Sequence, residues 1–432
     1  MEITCPASSS SNITTLMSME LTKQIQAEYE KCKVSNCRSV DILKEVEFLM
    51  RKSIMTATMK RHKVTFIKCL PFGSSATKLK TTDSDLDIAI IVNTERELEQ
   101  KEKDSLLFAM RPHISNYFRF GEATVIHRAK VPVIKCWSKE YEVDFVLHFG
   151  TTIPPNFLAA LSINACCQIE QKLIQVCFML KKWAKHFMQQ NYLEKEMLSG
   201  LPNSYTLVLL VISMLQQANV LPNLAEVRPS LFDVDHATWE SVTAVSMMYP
   251  LKKIELANIK KDLDGAQLSV GDMVIQFFKT YGNMDLSTLI IDMKTATIQE
   301  KETWGLSDPL TVIDQYDFNI PSRRVTKPFI FEMLCRKSLD VIATSNSDSI
   351  FNDLMSMWFG NNPSNGSFLK PKTWKELGYT SQEHYYREMG QNLRECRSKQ
   401  RQQYKNPKLE QDGTTAFKKT KLKWDSNSDD EC

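Results

Sequence analysis

Three aspartates within five residues, Asp83, Asp85 and Asp87, stand directly before an apolar run at residues 88–92. If that run is a strand, side chains two residues apart share a face, so Asp85 and Asp87 project together, about 7 Å apart. Two carboxylates at that distance raise each other's pKa unless a cation lies between them. The spacing therefore favours a bound cation, whereas Asp83 is interpreted as a turn residue.

A third carboxylate and a glycine-serine pair extend this pattern. Asp144 lies in another apolar segment, and Gly73-Ser74 precedes the aspartate pair. Magnesium prefers oxygen ligands and joins carboxylates to phosphates, and a glycine turn lets backbone N–H groups and a serine hydroxyl approach phosphate. Three carboxylates suit a two-metal site for nucleotidyl transfer with Mg²⁺ or Mn²⁺. The alternative is that Asp83 and Asp85 are turn residues and Asp87 is a charge at the edge of a strand. That alternative explains only the Asp-x-Asp pair.

Hydrophobic patterning predicts the elements that must position these side chains. From β-branched and aromatic content, strands are predicted at residues 64–70, 88–92, 131–135 and 141–147. From apolar spacing of three and four, helices are predicted within residues 19–61, 97–110, 173–188 and 205–217. The second helix is expected to end near Pro112, and Ser204 to cap the last. Up to Gly150 the chain reads as mixed α/β, and after it as mainly helical, with rare strand signals.

Composition places the chain among globular proteins with two or three domains. It has 432 residues, of which 43% are hydrophobic and 24% charged, which argues against a disordered or membrane protein. No apolar run reaches the ~20 residues that span a bilayer. The eleven cysteines show no Cys-x-x-Cys pair, which favours reduced thiols in cytoplasm or nucleus. The serine-rich leader lacks the arginines of a transit peptide, which disfavours a mitochondrial location.

The net charge is only +3, but basic residues concentrate between Arg387 and Lys423. Such a tail is expected to be disordered and solvated, and it would also hold a polyanion such as RNA. Its lysine-rich run at residues 418–423 is equally consistent with a nuclear address. Residues 344–349 and 361–367 are turn-rich and are interpreted as linkers.

The motifs resemble those of the polymerase-beta-like nucleotidyltransferase superfamily, and the wider chain resembles its terminal RNA nucleotidyltransferases, the poly(A)–poly(U) polymerase family. The superfamily motif is Gly73-Ser74, Ser84-Asp85-Leu86-Asp87 and Val143-Asp144. The further segments are Lys130-Val131-Pro132-Val133-Ile134-Lys135, Lys181-Lys182-Trp183-Ala184-Lys185, Leu201-Pro202-Asn203-Ser204-Tyr205 and Val312-Ile313-Asp314-Gln315-Tyr316-Asp317. They follow in order between about residues 40 and 340.

This resemblance implies an α+β fold. A mixed-sheet nucleotidyltransferase catalytic domain would pack against a mainly helical central domain of the kind associated with poly(A) polymerases, with the active site in the cleft between them. The expected divisions are a flexible leader at 1–18, the catalytic domain with leading helices at 19–150, the helical domain at 151–340 with a nucleotide-recognition loop at 312–324, a helical or linker extension at 341–383 and a basic, disordered tail at 384–432.

By the same resemblance, Asp85, Asp87 and Asp144 are the catalytic and metal-binding residues. The nucleotide-binding residues would be Gly73, Ser74, Lys181, Lys185, Ser204, Tyr205, Asp314, Asp317 and Arg324. The two lysines, four residues apart on one helical face, would hold the triphosphate, Ser204 would bond a phosphate and Tyr205 would stack on the base. The alternative for the two lysines is a solvated basic face, and the alternative for Tyr205 is a tyrosine of the core. The family's sugar-reading asparagine aligns with Ser162, and Asn164 lies nearby.

The recognition loop departs from the family pattern at two positions. Gln315 replaces a usual proline, and Ile320 stands where uridylyl enzymes often carry a histidine. Without that imidazole, exclusion of a purine should weaken, which favours ATP. UTP stays an alternative, because Asn319 or Arg323 could read uracil.

The sequence therefore predicts an RNA processing enzyme, a template-independent nucleotidyltransferase that adds AMP to RNA 3′ ends. A terminal uridylyltransferase, an inactive RNA- or protein-binding scaffold of the same fold, and an enzyme with another acceptor are the alternatives. The expected partners are an RNA 3′ end, ATP or UTP and an RNA-binding adaptor protein. Because no RNA-binding module is evident in the chain, RNA would have to lie across the cleft, helped by the tail between Arg387 and Lys423. No membrane association is expected.

Overall fold

The structure, a computed structural model, describes the chain in segments within residues 9–357. These are residues 9–33, 44–48, 64–81, 84–94, 96, 98–118, 122–127, 132–137, 142–149, 153–189, 200–238, 267–301, 309–316 and 320–357. All of them belong to one compact unit, Met1–Met357. Asp83, Asp317 and Asn319 lie outside the described residues, as do the predicted linker at 361–367 and the basic tail. Within the described part of the chain, none of the helices has the length and apolar character needed to cross a membrane.

Five strands form a mixed sheet in the first part of the chain. They are β1 (Val64–Pro71), β2 (Leu86–Thr94), β3 (Glu122–Ile126), β4 (Val133–Trp137) and β5 (Glu142–Phe149), in the order β1-β2-β5-β4-β3. The β2–β5 pair is parallel and the other pairs are antiparallel. The four predicted strands are confirmed. Strand β3 escaped prediction because it is a short edge strand with a weak apolar pattern.

One face of this sheet is covered by helix α2 (Gln100–Phe118). Leu107, Met110 and Ile114 of the helix are buried against the alternate residues of β2, β4 and β5. The prediction that this helix ends near Pro112 is wrong, because Pro112 lies inside it. A proline interrupts helical hydrogen bonding at a cost of about 3 kcal/mol, but burial of Ile114 beyond it favours continuation.

The second part of the chain is mainly helical, as predicted. Its helices are α3 (Pro155–Ile169), α4 (Lys172–Gln189), α5 (Ser204–Gln217), α6 (Leu224–Val227), α7 (Pro229–Phe232), α8 (Val270–Asn283), α9 (Pro328–Thr344) and α10 (Ile350–Met355). Trp183 of α4 is fully buried among phenylalanine rings from α4, α8 and α9, and its indole N–H donates to Ser338 Oγ at 3.1 Å. The cap of α5 is Asn203, which accepts from Thr206 N, and not the predicted Ser204.

A small three-stranded sheet lies within this helical part and was missed by sequence patterning. Its strands are β6 (Leu289–Asp292), β7 (Thr297–Glu300) and β8 (Thr311–Ile313), in the order β7-β6-β8. Strands of three or four residues are too short to establish a period of two. Strand β8 leads directly into Asp314, so this sheet fixes the start of the predicted recognition loop.

The leading helix α1 (Ser9–Cys32) packs against the helical part of the molecule. Ser18 Oγ donates to Asp272 Oδ1 at 2.6 Å, and Gln24 donates to Ser347 O and accepts from Phe351 N. The proposed boundaries group residues 19–33 with the catalytic domain and stay a prediction. The contacts show that α1 ties the chain's beginning to α8 and α10.

Gly271 is expected to be essential for the contact between α1 and α8. A Cβ at this position would lie 2.1 Å from the backbone oxygen of Ser18, so Gly271→Ala must displace one helix, which should lower the free energy of unfolding by about 1–3 kcal/mol. Gly282→Ala in the same helix is the matched control, since its Cβ would meet Arg336 at 3.1 Å. Its expected change is below about 1 kcal/mol. Urea unfolding measures both, and equal losses would contradict a specific helix contact at Gly271.

Candidate active site

The register of the parallel β2–β5 pair brings the predicted carboxylates together. Asp87 and Asp144 are direct partners across the two strands. Their neighbours Ile88, Val143 and Phe145 belong to the core under α2, so the two aspartates lie on the opposite face of the sheet. Asp85 stands immediately before β2, two residues from Asp87, which completes the group.

The pKa values of all three aspartates are raised, mainly by burial. Burial raises the pKa of Asp87 to about 7, and the negative charges of Asp144 and Asp85 add to this rise. Burial also raises the pKa of Asp85, with Glu142 and Asp144 contributing. For Asp144 burial again raises the pKa, against an opposing effect of Lys135. Such a group favours a cation between its members.

Two charged residues to which the sequence analysis assigned no role complete the carboxylate cluster. Lys135 of β4 lies opposite Asp144 in register, with Nζ 3.0 Å from Asp144 Oδ2 and 2.7 Å from Glu142 Oε1. Glu142 precedes Asp144 by two residues and shares its face. Strand alternation gave each of these positions a face, but only the register of β4 on β5 shows that they meet.

A divalent metal ion fits the chemistry of this cluster. Mg²⁺ and Mn²⁺ take carboxylate oxygens, and Asp144 Oδ1 is buried with no hydrogen-bond partner among the described residues. No three His, Cys, Asp or Glu side chains in the described segments are arranged to hold a metal ion as they stand. Binding of one ion by Asp85, Asp87 and Asp144 together would therefore need an arrangement of these side chains different from the one seen here.

The predicted glycine-serine turn lies directly against the aspartates. Gly73 has a positive φ of 57°, and a Cβ there would come within 2.3 Å of Asp87 Oδ2. Phe72 N donates to Asp87 O at 3.1 Å, and Ser75 Oγ donates to Asp85 O at 3.2 Å. The turn that contains Ser74 is thus fixed beside β2, and only glycine permits this approach.

Helix α4 brings its two predicted lysines to the same region. Lys181 Nζ donates to Leu79 O at 3.3 Å, and burial lowers its pKa, although Cys177 and Asp87 oppose this. Lys185, one turn further along, lowers the pKa of Asp85 electrostatically. The alternative of a solvated basic face is thus disfavoured for Lys181.

Tyr205 and Asp314 form a second cluster. Tyr205 OH donates to Asp314 Oδ2 at 2.8 Å, and Tyr316 N donates to Asp314 Oδ1 at 2.9 Å. Gln315, the residue in place of the usual proline, donates through Nε2 to Phe232 O at 3.1 Å. The predicted stacking residue and the start of the recognition loop are therefore joined by a hydrogen bond.

A pocket beside Tyr205 distinguishes the two candidates for the sugar-reading position. Ser162 lines this pocket together with Tyr205 and Asp314. Asn164 is instead buried, and its Nδ2 donates to Ala76 O at 2.6 Å. Helix α3 thus contacts the end of the glycine-serine turn through Asn164 and lines the pocket through Ser162.

The remaining predicted nucleotide-binding residues lie outside these contacts. Ser204 is exposed at the first turn of α5, where its hydroxyl is not used as the cap. Arg324 is exposed and does not belong to the lining of the Tyr205 pocket. Asp317 is outside the described residues.

The contribution of Asp87 to the stability of the metal-free protein is expected to fall as pH rises from about 4 to about 7. The folded pKa of Asp87, about 7, exceeds its ordinary value of 3.8, so the folded state binds more protons in this window. This contribution to the free energy of unfolding is fully present below the ordinary pKa of 3.8 and is lost as pH rises through the folded pKa of about 7. Asp87→Asn should therefore stabilise the protein at pH 8 by about 2 kcal/mol more than at pH 5. Urea unfolding in EDTA measures this, and an equal effect at both pH values would contradict the shift.

Comparison with known proteins supports the same assignment of fold. Residues 21–153 match the family model "Poly(A) RNA polymerase, mitochondrial-like, central palm domain". Poly(A) RNA polymerase GLD2-B of Xenopus laevis is 24% identical over 227 residues, which cover 52% of this chain and 41% of the relative. The chain therefore spans less than half of that relative's length.

Solved structures extend the similarity in fold beyond the palm segment. That of mtPAP in complex with UTP matches with a TM-score of 0.56 at 12% identity, over 82% of this chain and 80% of that one. The GLD-2/RNP-8 complex matches with a TM-score of 0.53 at 17% identity, over 78% of this chain and 98% of that one. The resemblance predicted from the sequence is confirmed: the chain carries a palm segment of the poly(A) RNA polymerase type and has the α+β fold of terminal RNA nucleotidyltransferases.

Proposed function

We propose that the chain is a template-independent nucleotidyltransferase that adds nucleotides, AMP favoured, to RNA 3′ ends. The observation that carries this proposal is the pairing of Asp87 with Asp144 across parallel strands, with Asp85 beside them. The relatives named as poly(A) RNA polymerases support it. In the reaction, the RNA 3′ oxygen forms a bond to the α-phosphorus of the nucleoside triphosphate, the bond between the α- and β-phosphates breaks and pyrophosphate leaves.

Asp85, Asp87 and Asp144 would hold the divalent ions that this transfer needs, Mg²⁺ or Mn²⁺. When bound, such ions supply charge stabilisation and lower the pKa of the attacking hydroxyl. The aspartates must be ionised to bind, and the raised pKa of Asp87 means that proton and metal compete for it near neutral pH.

The triphosphate would lie between the Gly73-Ser74 turn and helix α4. The turn offers backbone N–H groups and a serine hydroxyl close to the aspartates. Lys181 and Lys185 bring positive charge near the aspartates: Lys185 opposes the rise in the pKa of Asp85, and Asp87 opposes the fall in the pKa of Lys181. These groups bind and orient the phosphates toward the carboxylate cluster.

The base would lie at the Tyr205–Asp314 cluster. The 2.8 Å hydrogen bond from Tyr205 OH to Asp314 Oδ2 restrains the ring on which the base would stack. Ser162 lines the same pocket and would contact the sugar. We propose Ser204 as a phosphate contact, and Asp317 and Arg324 as further contacts of the recognition loop.

AMP is favoured because the loop carries no histidine at the position typical of uridylyl enzymes. Ile320, which occupies that position, is 39% exposed and offers no hydrogen-bonding side chain to a pyrimidine. Uridylyl transfer, with Asn319 or Arg323 contacting uracil, is the second candidate. It is supported by the fold similarity to a cytoplasmic RNA terminal U-transferase, with a TM-score of 0.52 at 15% identity.

The proposed partners are an RNA 3′ end, ATP or UTP and an adaptor protein that brings the RNA. The fold similarity to the GLD-2 chain, solved with RNP-8, supports an adaptor. Cytoplasm and nucleus are the proposed locations. The basic segment between Arg387 and Lys423 is proposed to contribute RNA affinity or a nuclear address.

The proposal is tested with the purified chain, a short 5′-labelled RNA, Mg²⁺ and each of the four triphosphates offered singly. We expect extension, most rapid with ATP. The double variant Asp85→Ala/Asp87→Ala should lose more than about a thousandfold in rate, because transition-state charge is then uncompensated. Asp340→Asn, which changes an exposed carboxylate of α9, is the matched control and should keep full activity.

Two results would contradict the proposal. Extension by the double variant at the wild-type rate would remove the aspartates from the chemistry. RNA binding by the wild-type chain without extension, under all four triphosphates and with both Mg²⁺ and Mn²⁺, would favour the inactive scaffold. Fastest extension with UTP would leave the chemistry intact and assign the chain to the uridylyl enzymes.

A further inference from the structure

Lys135 contacts the carboxylate cluster from a neighbouring strand. Its Nζ lies 3.0 Å from Asp144 Oδ2 and 2.7 Å from Glu142 Oε1, and its side chain is only 26% exposed. The antiparallel β4–β5 register places Lys135 directly opposite Asp144, so the ion pair is built into the sheet. Trp137, two residues further along β4, places its ring 6.0 Å from the same ammonium.

The two oxygens of Asp144 have different surroundings. Oδ2 pairs with Lys135, whereas Oδ1 is buried and has no hydrogen-bond partner among the described residues. The ammonium thus compensates one oxygen of the carboxylate and leaves the other without a partner in the described part of the chain. Since Glu142 binds the same ammonium, Lys135 can release Asp144 and keep an ion pair.

We propose that Lys135 is an internal counter-ion of the carboxylate cluster, which stabilises the assembled aspartates before a divalent ion binds and competes with that ion for Asp144. The inference rests on the proposed function, because it takes Asp85, Asp87 and Asp144 as the metal ligands. It adds a positioning residue whose charge sets how tightly the free protein binds the ion.

The competition follows from elementary electrostatics. Buried like charges repel strongly, and a cation that neutralises them lowers that energy. An ammonium in contact with Asp144 supplies one positive charge, and a divalent ion at the cluster supplies two. Because the two cations repel each other, each weakens the binding of the other. Removing the ammonium should therefore destabilise the metal-free protein and tighten its affinity for the ion.

The test is thermal unfolding of the full chain at fixed pH 8, without nucleotide or RNA, in EDTA and across a Mn²⁺ titration. Lys135→Met keeps the length of the side chain and removes its charge, and Lys135→Arg retains the charge. Lys68→Met is the matched control, because Lys68 lies on β1 of the same sheet and has Glu47 as its charged neighbour. Asp85→Ala/Asp87→Ala reports whether the titration measures binding at the cluster.

For Lys135→Met we expect a melting temperature in EDTA at least about 3 °C below the wild type, and half-saturation at about tenfold lower Mn²⁺. Lys135→Arg and Lys68→Met should keep the wild-type half-saturation, and the double aspartate variant should show no Mn²⁺-dependent shift. If Lys135→Met is unfolded in EDTA, saturating Mn²⁺ should restore its cooperative transition.

Half-saturation of Lys135→Met at an unchanged or higher Mn²⁺ concentration would overturn the inference while leaving the proposed function intact. A higher concentration would instead show that Lys135 orients Asp144 for the ion. Failure of Mn²⁺ to restore an unfolded Lys135→Met would overturn it as well. Absence of any Mn²⁺-dependent shift in the wild type would overturn the metal assignment of the proposed function, and the inference with it.

Discussion

The parallel pairing of β2 with β5 is the constraint on which the site depends. It sets Asp87 directly opposite Asp144 and leaves both on the sheet face away from the core. Because side chains alternate along a strand, a register slip of one residue would turn one aspartate into the core while its partner stays on the opposite face. The buried alternate residues, such as Ile88 and Phe145, fix the register by their own burial. The packing of the apolar core therefore positions the aspartates.

Concentrating carboxylates on one face costs stability, and the molecule offsets that cost with lysines from several elements. Lys80 and Lys135 oppose the rise in the pKa of Asp87, and Lys135 and Lys185 oppose the rise in the pKa of Asp85. These lysines come from the loop before β2, from β4 and from α4. The sheet and the helical part are thus electrostatically coupled at the place where a triphosphate would bring further negative charge.

The sequence predicted which carboxylates lie together better than it predicted the charged residues around them. Asp85, Asp87 and Asp144 carry local signals, namely an Asp-x-Asp spacing and apolar flanks. Lys135 was noted only within a family-like segment, because its role depends on which residue of β5 it faces, and strand register is not encoded locally. The helix through Pro112 was missed for the same kind of reason, since tertiary burial overrides a local breaker.

The most direct test of the central claim is a crystal structure of the chain with Mn²⁺ and a non-hydrolysable nucleoside triphosphate, with anomalous data at the manganese edge. An anomalous peak is expected about 2.0–2.3 Å from carboxylate oxygens of Asp85, Asp87 and Asp144 together, with Nζ of Lys135 moved off Asp144. A peak elsewhere in the chain, or an Asp144 that still pairs with Lys135 beside a fully occupied ion, would contradict the account.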